Sequence, residues 1–313
     1  MKEQEYDFAA LQQALQGKSA EFVLRYLADV LAKTEGAAFQ QFLRRAAVFR
    51  QPVPCTAYVM CTVSVPLASS GNAAVQGAGA NETFAVLEKG VNLTLFEKEA
   101  QRGCAPVYWV TPVIREGEWS KLPPDEQRGL HMAAYHWYDG RIAQHAQPDP
   151  DDWAEAVHHA LAAGNIRGAC KPAIDLGLYL RDLLLYRESM LVQQRVADRI
   201  DATVIAEAKQ VKDEQVAILL NNLGESVRTL GDARQAIGYY EQALAIDRAV
   251  SGDAHPAVAR DLNNLGGAYD DLGEHRKALG YFEQVVAIFT QFYGREHPWT
   301  RTVQGNLDAV KKK

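Results

Sequence analysis

The second half of the chain carries apolar residues at intervals of three and four, with polar residues between them. This spacing places the apolar side chains on one face of a helix. Between residues 216 and 257 the pattern occurs twice, on either side of the break Leu230-Gly231-Asp232. The segment is therefore predicted to form two helices joined by a tight turn. The apolar faces contain Leu220, Leu223 and Val227 in the first helix and Ala236, Tyr240, Ala243 and Leu244 in the second.

The same segment then occurs a second time. Residues 258–299 match residues 216–257 at 20 of 42 positions without a gap. Asn221-Asn222-Leu223-Gly224, for example, returns as Asn263-Asn264-Leu265-Gly266. A fixed period of this length indicates supersecondary units that stack on one another, because one such unit cannot bury its apolar face alone. The pattern favours a surface that holds a partner over a catalytic site.

Glycine and proline mark the turns of both units. Gly231 and Gly273 occupy the tight turns, where we expect a backbone conformation that a Cβ disfavours. His255-Pro256 returns as His297-Pro298. Because proline fits the first turn of a helix but not its interior, each pair is predicted to begin the next unit. The two histidines recur because the turn recurs, and we assign them no catalytic role.

The repeat resembles the tetratricopeptide repeat, and its 42-residue length is similar to that of the kinesin light chain repeats. The matching consensus positions are Leu220, Leu223, Gly224, Ala236, Tyr240 and Ala243, followed by Leu262, Leu265, Gly266, Tyr269, Ala278 and Phe282. Trp299–Val310 matches the first helix once more and is expected to cap the array. The resemblance implies a mainly α fold that ends in a right-handed superhelix of paired helices. It also implies a non-enzymatic protein that binds a peptide or protein in a concave groove.

In this family the first helix of each unit lines the groove, and its asparagines hold the backbone of an extended peptide. An amide offers both a donor and an acceptor, so it pairs with a peptide group of any sequence. Alternatively, one asparagine of each pair bonds a neighbouring helix. The resemblance places the following residues in the groove: Ile218, Asn221, Asn222, Glu225, Arg228, Arg260, Asn263, Asn264, Gly267, Asp270 and Asn306. Arg228, Arg260 and Arg301 are candidates to meet a ligand carboxylate, or else they are solvated charges.

Upstream of residue 216 the period decays, although the helical spacing of apolar residues persists. Trp153–Gly164 and Ile174–Ile200 are predicted to be helical. The predicted core of this part contains Leu180, Leu183, Leu184, Met190 and Leu191. We interpret residues 153–215 as two degenerate helical hairpins that precede the tetratricopeptide repeats of residues 216–313.

The first 150 residues have a different pattern. Helices are predicted within residues 1–35, at Ala37–Phe49, at Glu82–Gly90 and at Leu130–Ala146. Residues 68–81 are rich in alanine, glycine and serine, which predicts a flexible loop. β-branched and aromatic residues favour a hairpin made of strands Val91–Phe96 and Pro106–Thr111.

Helices followed by a hairpin are typical of a winged helix, and the phrases LRRAAVFRQPVP, LEKG and YWVTPVIRE resemble one version of it. That version follows the nucleotide-binding module of STAND signalling ATPases, the NB-ARC and NACHT-like group, and leads into repeats. The chain has no Walker A motif. Two alternatives stay open: the C-terminal part of a longer switch, with a nucleotide-binding domain upstream or in trans, or a stand-alone relative. The predicted domains are N-terminal helices (1–35), a winged-helix-like domain (36–125), a connecting helix and linker (126–152), degenerate repeats (153–215) and tetratricopeptide repeats (216–313).

The charge of the chain indicates which partners it can bind, and it matters most for DNA binding by the predicted winged helix. A net charge of −6 and a pI of about 5.8 argue against bulk binding to nucleic acid or to an anionic membrane. The presumed recognition helix Glu82–Gly90 carries one lysine and two glutamates, whereas binding to DNA phosphates needs a cluster of basic residues. The favoured function is a peptide-binding sensor or adaptor. A DNA-binding regulator and a self-associating scaffold are the alternatives.

The residues with reactive or metal-binding side chains form no recognisable motif. Cys55, Cys61, Cys104 and Cys170 lie far apart without a C-x-x-C pair, which argues against a zinc site or a disulfide framework. His158 and His159 are adjacent, whereas a helical metal site favours ligands four residues apart. We therefore predict no catalytic residue, no metal site and no cofactor. The N-terminus does not resemble a signal peptide, and Cys55–Leu67 is too short and too polar to span a bilayer, so a cytoplasmic protein is predicted.

Overall fold

The computed structural model describes residues 37–61, 78–92, 95–100 and 105–313 of the chain. Helices make up most of these residues, and the strands among them form one small sheet. The chain divides into two compact units, Met1–Gly140 and Arg141–Lys313. The helices predicted within residues 1–35 lie outside the described residues.

The first unit combines helices with a three-stranded antiparallel sheet. Its elements are α1 (Ala37–Ala46), β1 (Val53–Pro54), a 3-10 helix (Cys55–Cys61), α2 (Ala78–Asn92), β2 (Phe96–Glu99), β3 (Val107–Val110), α3 (Pro112–Trp119) and α4 (Pro124–Gln144). The strand order is β1-β3-β2, with Val53 opposite Tyr108 and Phe96 opposite Val110.

Aromatic side chains form the core of this unit. Phe49 packs edge-on against Tyr58 at 5.1 Å between ring centroids, and Tyr58 packs edge-on against Phe96 at 6.0 Å. The buried Tyr58 hydroxyl donates a hydrogen bond to the Tyr108 carbonyl oxygen at 2.9 Å. Because its one polar group is satisfied, this tyrosine contributes its large apolar ring to the core without a desolvation penalty.

The hairpin of the first unit exists, but its first strand is displaced from the prediction. Val91 and Asn92 belong to the end of α2, and β2 begins only at Phe96. Gly90 does not end the helix as predicted. Instead it makes room for the Phe96 ring, since a Cβ at this position would lie 2.4 Å from that ring. Residues 78–81 of the predicted loop 68–81 are the first turn of α2, and the rest of that loop lies outside the described residues.

The second unit is entirely helical within the described residues. Its elements are α5 (Pro150–Ala162), α6 (Ile166–Asp182), α7 (Tyr186–Ala197), α8 (Ala202–Val211), α9 (Gln215–Thr229), α10 (Ala233–Ser251), α11 (Pro256–Asp271), α12 (His275–Tyr293) and α13 (Pro298–Lys311). The two 42-residue units correspond to the pairs α9–α10 and α11–α12. The helix α13 repeats the first helix once more, as predicted.

The paired helices of each repeat approach closely at a glycine. A Cβ at Gly224 would lie 2.7 Å from the Tyr240 ring, and a Cβ at Gly266 would lie 2.9 Å from the Phe282 ring. The tight turns contain Gly231 at φ +99° and Gly273 at φ +75°, which confirms the predicted need for glycine there. Buried side chains of α9 to α13 join both repeats into one continuous core.

The recurring His-Pro pairs begin α11 and α13. Pro256 and Pro298 occupy the first turn, as predicted. The Nδ1 atoms of His255 and His297 accept hydrogen bonds from the backbone N–H groups of Ala257 and Trp299, at 3.2 and 3.3 Å. Each histidine therefore caps a helix through an acceptor nitrogen, which explains why it recurs with the turn.

The core predicted upstream of the repeats is wrong in part. The side chains of Leu183, Leu184 and Leu191 are all more than half exposed. Leu183 and Leu184 lie in the turn between α6 and α7, and Leu184 has φ +62°. Leu184 thus occupies the left-handed turn position that Gly231 holds in the repeat. Helical spacing identified apolar residues here, but no neighbouring element of this unit covers them.

Within the described residues, every helix is too short or too polar to cross a membrane.

Candidate binding groove

The first helices of successive repeats, α9, α11 and α13, bring predicted ligand-binding residues together. We refer to the surface formed by these three helices as the groove. Part of this surface is a cavity of about 200 Å³ lined by Arg228, Asn263, Gly267, Asp270, Phe282, Asn306, Ala309 and Val310. Five of these residues were predicted, and they come from three helices.

Two asparagines line this cavity. Asn263 is half-buried, and its Oδ1 atom is buried without a hydrogen-bond donor among the described residues. Asn306 on α13 is exposed and occupies the position that Asn264 holds one repeat earlier. An acceptor that is buried without a donor costs about 1–3 kcal/mol. The Asn263 side chain thus has hydrogen-bonding capacity that the described residues leave unused.

The charged residues of the cavity already have partners within the chain. Arg228 Nε donates to Asp271 Oδ2 at 2.5 Å. Asp270 is hydrogen-bonded to His275 Nδ1 at 2.9 Å and accepts from Lys313 Nζ at 2.7 Å. Burial raises the pKa of Asp270, but the bonds from Lys313 and His275 outweigh burial and lower it overall. Arg228 and Asp270 therefore each have a partner of opposite charge within the chain.

The remaining predicted residues of α9 differ in whether their side chains already have partners within the chain. Ile218 and Asn222 are half-buried, and the Asn222 side chain forms no hydrogen bond within the described part of the chain. Glu225 is exposed and pairs with Arg181 Nη1 of α6 at 2.8 Å. Asn222 is therefore available to a ligand, whereas Glu225 links two helices of the array.

Asn221 does not reach the groove surface, because only 4% of it is exposed. Its Nδ2 donates to Asp261 Oδ1 at 2.5 Å, and its Oδ1 accepts from Asn264 Nδ2 at 3.0 Å. The prediction that Asn221 contacts a ligand directly is thus corrected, and the alternative that it bonds a neighbouring helix holds. Its neighbour Asn264 is half-buried and keeps its own Oδ1 for other contacts.

Arg260 pairs with two aspartates where α10 packs against α11, a contact that we call the joint between the repeats. Its Nη2 donates to Asp247 Oδ2 at 3.0 Å, and its Nε lies 3.5 Å from Asp261 Oδ1. Both aspartates are fully buried, and both were missed by the sequence analysis. One signal was present: 42 residues later the chain has Phe289 and Val303, so each aspartate replaces an apolar residue. Arg301 lies outside the cavity, in a hollow between α12 and α13.

Comparison with known proteins agrees with this architecture. Residues 215–291 match the family model of the tetratricopeptide repeat. Among curated proteins, none matches the sequence significantly. Several solved structures match this chain, and three of them follow.

The first is BtubC from P. vanneervenii, with 19% identity and a TM-score of 0.34, covering 74% of this chain and 76% of that one. The second is a putative kinesin light chain with nearly identical TPR-like repeats from Podosopora anserina, with 18% identity and a TM-score of 0.30, covering 63% and 79%. The third is a STAND protein with a tetratricopeptide repeat sensor from Pyrococcus horikoshii, with 11% identity and a TM-score of 0.35, covering 98% of this chain and 54% of that one. The chain thus spans about half the length of the third protein. On the match of the family model and the helix pairs described above, residues 215–291 are tetratricopeptide repeats.

Proposed function

We propose that this protein is a non-enzymatic adaptor or sensor that binds an extended peptide or protein segment in the groove. The observation that carries the proposal is the cavity where Asn263 and Asn306, from successive units, lie beside charges that are already compensated. Amides recognise a peptide backbone without regard to its side chains. The position of these amides on first helices supports a ligand that runs along the array.

The test compares two matched pairs of amide substitutions. Asn263→Ala with Asn306→Ala removes the amides of the cavity. Gln242→Ala with Gln284→Ala is the control, because these amides likewise come from successive units but are exposed on the second helices. Partners captured from source-cell lysate are identified by mass spectrometry, and their affinities are measured by calorimetry. Since each lost hydrogen bond costs about 0.5–1.5 kcal/mol, we expect the groove pair to weaken binding about tenfold or more.

The two pairs separate a groove-specific effect from general damage. Circular dichroism checks that all variants keep their helical content. Partner binding that survives in the groove variant, or that is lost equally in the control, contradicts the assignment of the groove.

We further propose that the groove serves as the sensor of a STAND-like signalling switch. This part rests on the sequence, in which a winged-helix-like segment precedes the repeats. A ligand shifts such a switch only by binding one of its arrangements more tightly than the other. Capture of a nucleotide-binding protein that depends on residues 36–125 would support the proposal. A chain that binds its peptide partner but never a nucleotide-binding domain would remove this part and leave the adaptor role.

The alternative of a DNA-binding regulator is weakened by the ion pairs of the first unit. Arg44 Nε pairs with Glu118 at 3.0 Å, and Arg45 Nε pairs with Glu126 at 2.8 Å. Lys98, on the hairpin, pairs with Glu88 at 2.7 Å. These cations are compensated, whereas phosphate binding releases counterions only when basic groups are available. The alternative would be restored if the protein shifted the mobility of short DNA duplexes and this binding weakened steeply as the salt concentration rose.

A further inference from the structure

A pair of buried carboxyl groups lies beneath the groove, in the joint between the two repeats. Asp247 on α10 and Asp261 on α11 are both fully buried, and Arg260 contacts both carboxyl groups, at 3.0 Å to Asp247 Oδ2 and 3.5 Å to Asp261 Oδ1. Asp247 Oδ1 and Asp261 Oδ2 receive no hydrogen bond from any group among the described residues. Two carboxyl groups that share one buried place do not both keep a negative charge easily, because burial and the neighbouring like charge both favour the protonated form. The arrangement therefore favours one proton bound by the pair.

The charges around the pair lead to the same conclusion. Arg260 contacts both carboxyl groups, and its side chain is 41% exposed. His255 and Glu214 are the other titratable groups that act on Asp247, and Glu214 accepts a hydrogen bond from Ser251 at 2.9 Å. The group that faces Asp261 from α9 is the neutral amide of Asn221. One proton makes the pair and Arg260 neutral together, whereas a second negative charge in this place would be buried without a cation.

The next joint of the same array shows that a carboxyl pair is not needed for stacking. The residues 42 positions later are Phe289 and Val303, which are buried at 8% and 4% exposure and belong to the continuous core. Replacing buried charged groups by apolar residues of suitable size is often neutral or stabilising. The second joint is thus packed with apolar residues, whereas the equivalent positions of the first joint are two aspartates. Their role therefore goes beyond packing.

The pair is connected to the groove by a chain of amides. Asp261 Oδ1 accepts from Asn221 Nδ2, so Asn221 must direct its Oδ1 the other way. There it accepts from Asn264 Nδ2 at 3.0 Å. Asn264 consequently uses its N–H₂ group inside the joint and has its Oδ1 free of hydrogen bonds from the described residues. The Asp261 carboxyl oxygen can only accept, so Asn221 must turn its N–H₂ group towards it. Asn221 then offers its oxygen to Asn264, which must in turn use its own N–H₂ group as the donor.

We propose that Asp247 and Asp261 share one proton and that Asp261 is a positioning residue for the groove, fixing Asn221 and Asn264 so that Asn264 presents a carbonyl oxygen to the ligand. The group recognised at this place is then a hydrogen-bond donor such as a peptide N–H. The statement about the ligand rests on the proposed function, whereas the shared proton and the orientation of the amides do not. They are properties of the chain alone.

The shared proton has a defined signature in the stability of the protein. Burial, followed by the neighbouring Asp247 carboxyl, raises the pKa of Asp261 to about 8, and burial also raises the pKa of Asp247. In the unfolded chain an aspartate has a pKa of about 3.9. The folded state thus keeps a proton that the unfolded chain releases. This contribution to stability is fully present below the unfolded pKa and is lost as the pH rises to about 8.

Two substitutions in the full chain separate the proton from the positioning. Asp261→Asn keeps the shape and the acceptor oxygen for Asn221, and its own N–H₂ replaces the shared proton by donating to Asp247. Asp261→Val copies Val303 and removes both the proton and the acceptor. The two measurements are the urea midpoint between pH 5 and 9 and the side-chain amide signals of Asn221 and Asn264 in ¹H–¹⁵N NMR spectra. Asp308→Asn, which removes an exposed carboxylate, is the control.

We expect the folding constant of the wild type to fall by up to about tenfold per pH unit between pH 5 and 8, relative to Asp261→Asn. The amides of Asn221 and Asn264 should stay protected from exchange in the wild type and in Asp261→Asn, but not in Asp261→Val. The control should follow the wild type in both measurements.

Three results would overturn the inference. The shared proton is ruled out if Asp261→Asn keeps the pH dependence of the wild type. Positioning is ruled out if Asp261→Val leaves the amide signals unchanged. A urea midpoint that falls on adding EDTA would indicate a divalent cation in place of the proton. If both chain properties are found but no peptide partner is, only the proposed function fails.

Discussion

At the residue scale, the glycines inside the helices of the repeats lie in two different environments. Gly224 and Gly266 lie against the rings of Tyr240 and Phe282, so no larger side chain fits. Gly238, in the middle of α10, has open space around the position of a Cβ. All three lie inside helices, where glycine is unfavourable by itself. Only the environment of each glycine decides whether a substitution helps or harms.

We expect opposite effects of alanine at two of these positions. Gly238→Ala should raise the free energy of unfolding by about 0.5–1 kcal/mol, because alanine favours the helix and meets no neighbour. Gly224→Ala should lower it by about 1–3 kcal/mol, because the new methyl group would overlap the Tyr240 ring. Urea unfolding followed by circular dichroism measures both. Equal effects would show that the ring of Tyr240 moves away at little cost.

The asparagines show what the sequence leaves open at this scale. Asn221 and Asn263 occupy the same position of successive repeats, and the sequence assigns both to the groove. Asn221 is buried because Asp261 accepts its amide, whereas Val303 takes the place of that acceptor in the next unit. Asn263 keeps an oxygen without a donor and lines the cavity. Equivalent positions thus acquire different roles through neighbours 40 residues away in the sequence.

At the element scale, the ends of the helices were the best predicted feature of the repeats. Glycine turns and His-Pro pairs act locally, so their effect does not depend on the rest of the fold. The exceptions lie where tertiary contacts decide. The helix α2 continues past Gly90 because the Phe96 ring packs there. Leu183 and Leu184 have the spacing of core residues, but spacing does not show whether another element covers the face.

Helix capping provides a prediction at this scale. The Asp232 side chain accepts from the Gln235 N–H at 2.9 Å and caps α10, whereas Glu274 at the start of α12 makes no capping bond. Asp232→Ala should therefore lower the free energy of unfolding by about 1 kcal/mol, and Asp232→Asn should largely restore it. Glu274→Ala is the matched control, for which we expect a smaller change. Thermal unfolding measures all three, and an equal loss for Asp232→Ala and Glu274→Ala would contradict the assigned cap.

At the scale of the whole molecule, α13 differs from α11 on the face that would receive another helix. Ala259, Leu262 and Gly266 are buried in α11. The residues 42 positions later in α13 are Arg301, Gln304 and Asp308, and they line a hollow of about 780 Å³ between α12 and α13. Asp308 replaces the glycine that admits the aromatic ring of the paired helix. This face is therefore more polar than the equivalent face of α11, which fits the prediction that α13 is a capping helix.

Restoring the apolar face should create a new interface. The triple variant Arg301→Ala, Gln304→Leu and Asp308→Gly copies α11 and leaves a packing face uncovered. We expect this variant to self-associate, because an exposed apolar patch of a repeat promotes association. Sedimentation at several concentrations measures the mass, with Thr302→Ala, an exposed substitution on the same helix, as the control. Association of the wild type itself would instead favour the scaffold alternative.

The sequence by itself determined the two 42-residue repeats, their glycine turns and the helices that pair within them. These features follow from a 42-residue period and from local backbone preferences, which act within a few residues of each position. The tertiary structure decided which asparagines face the cavity, which arginines are already paired and that two aspartates share a buried place in the joint. Burial and pairing depend on residues one repeat away, and a period alone does not specify which side chains meet across the joint.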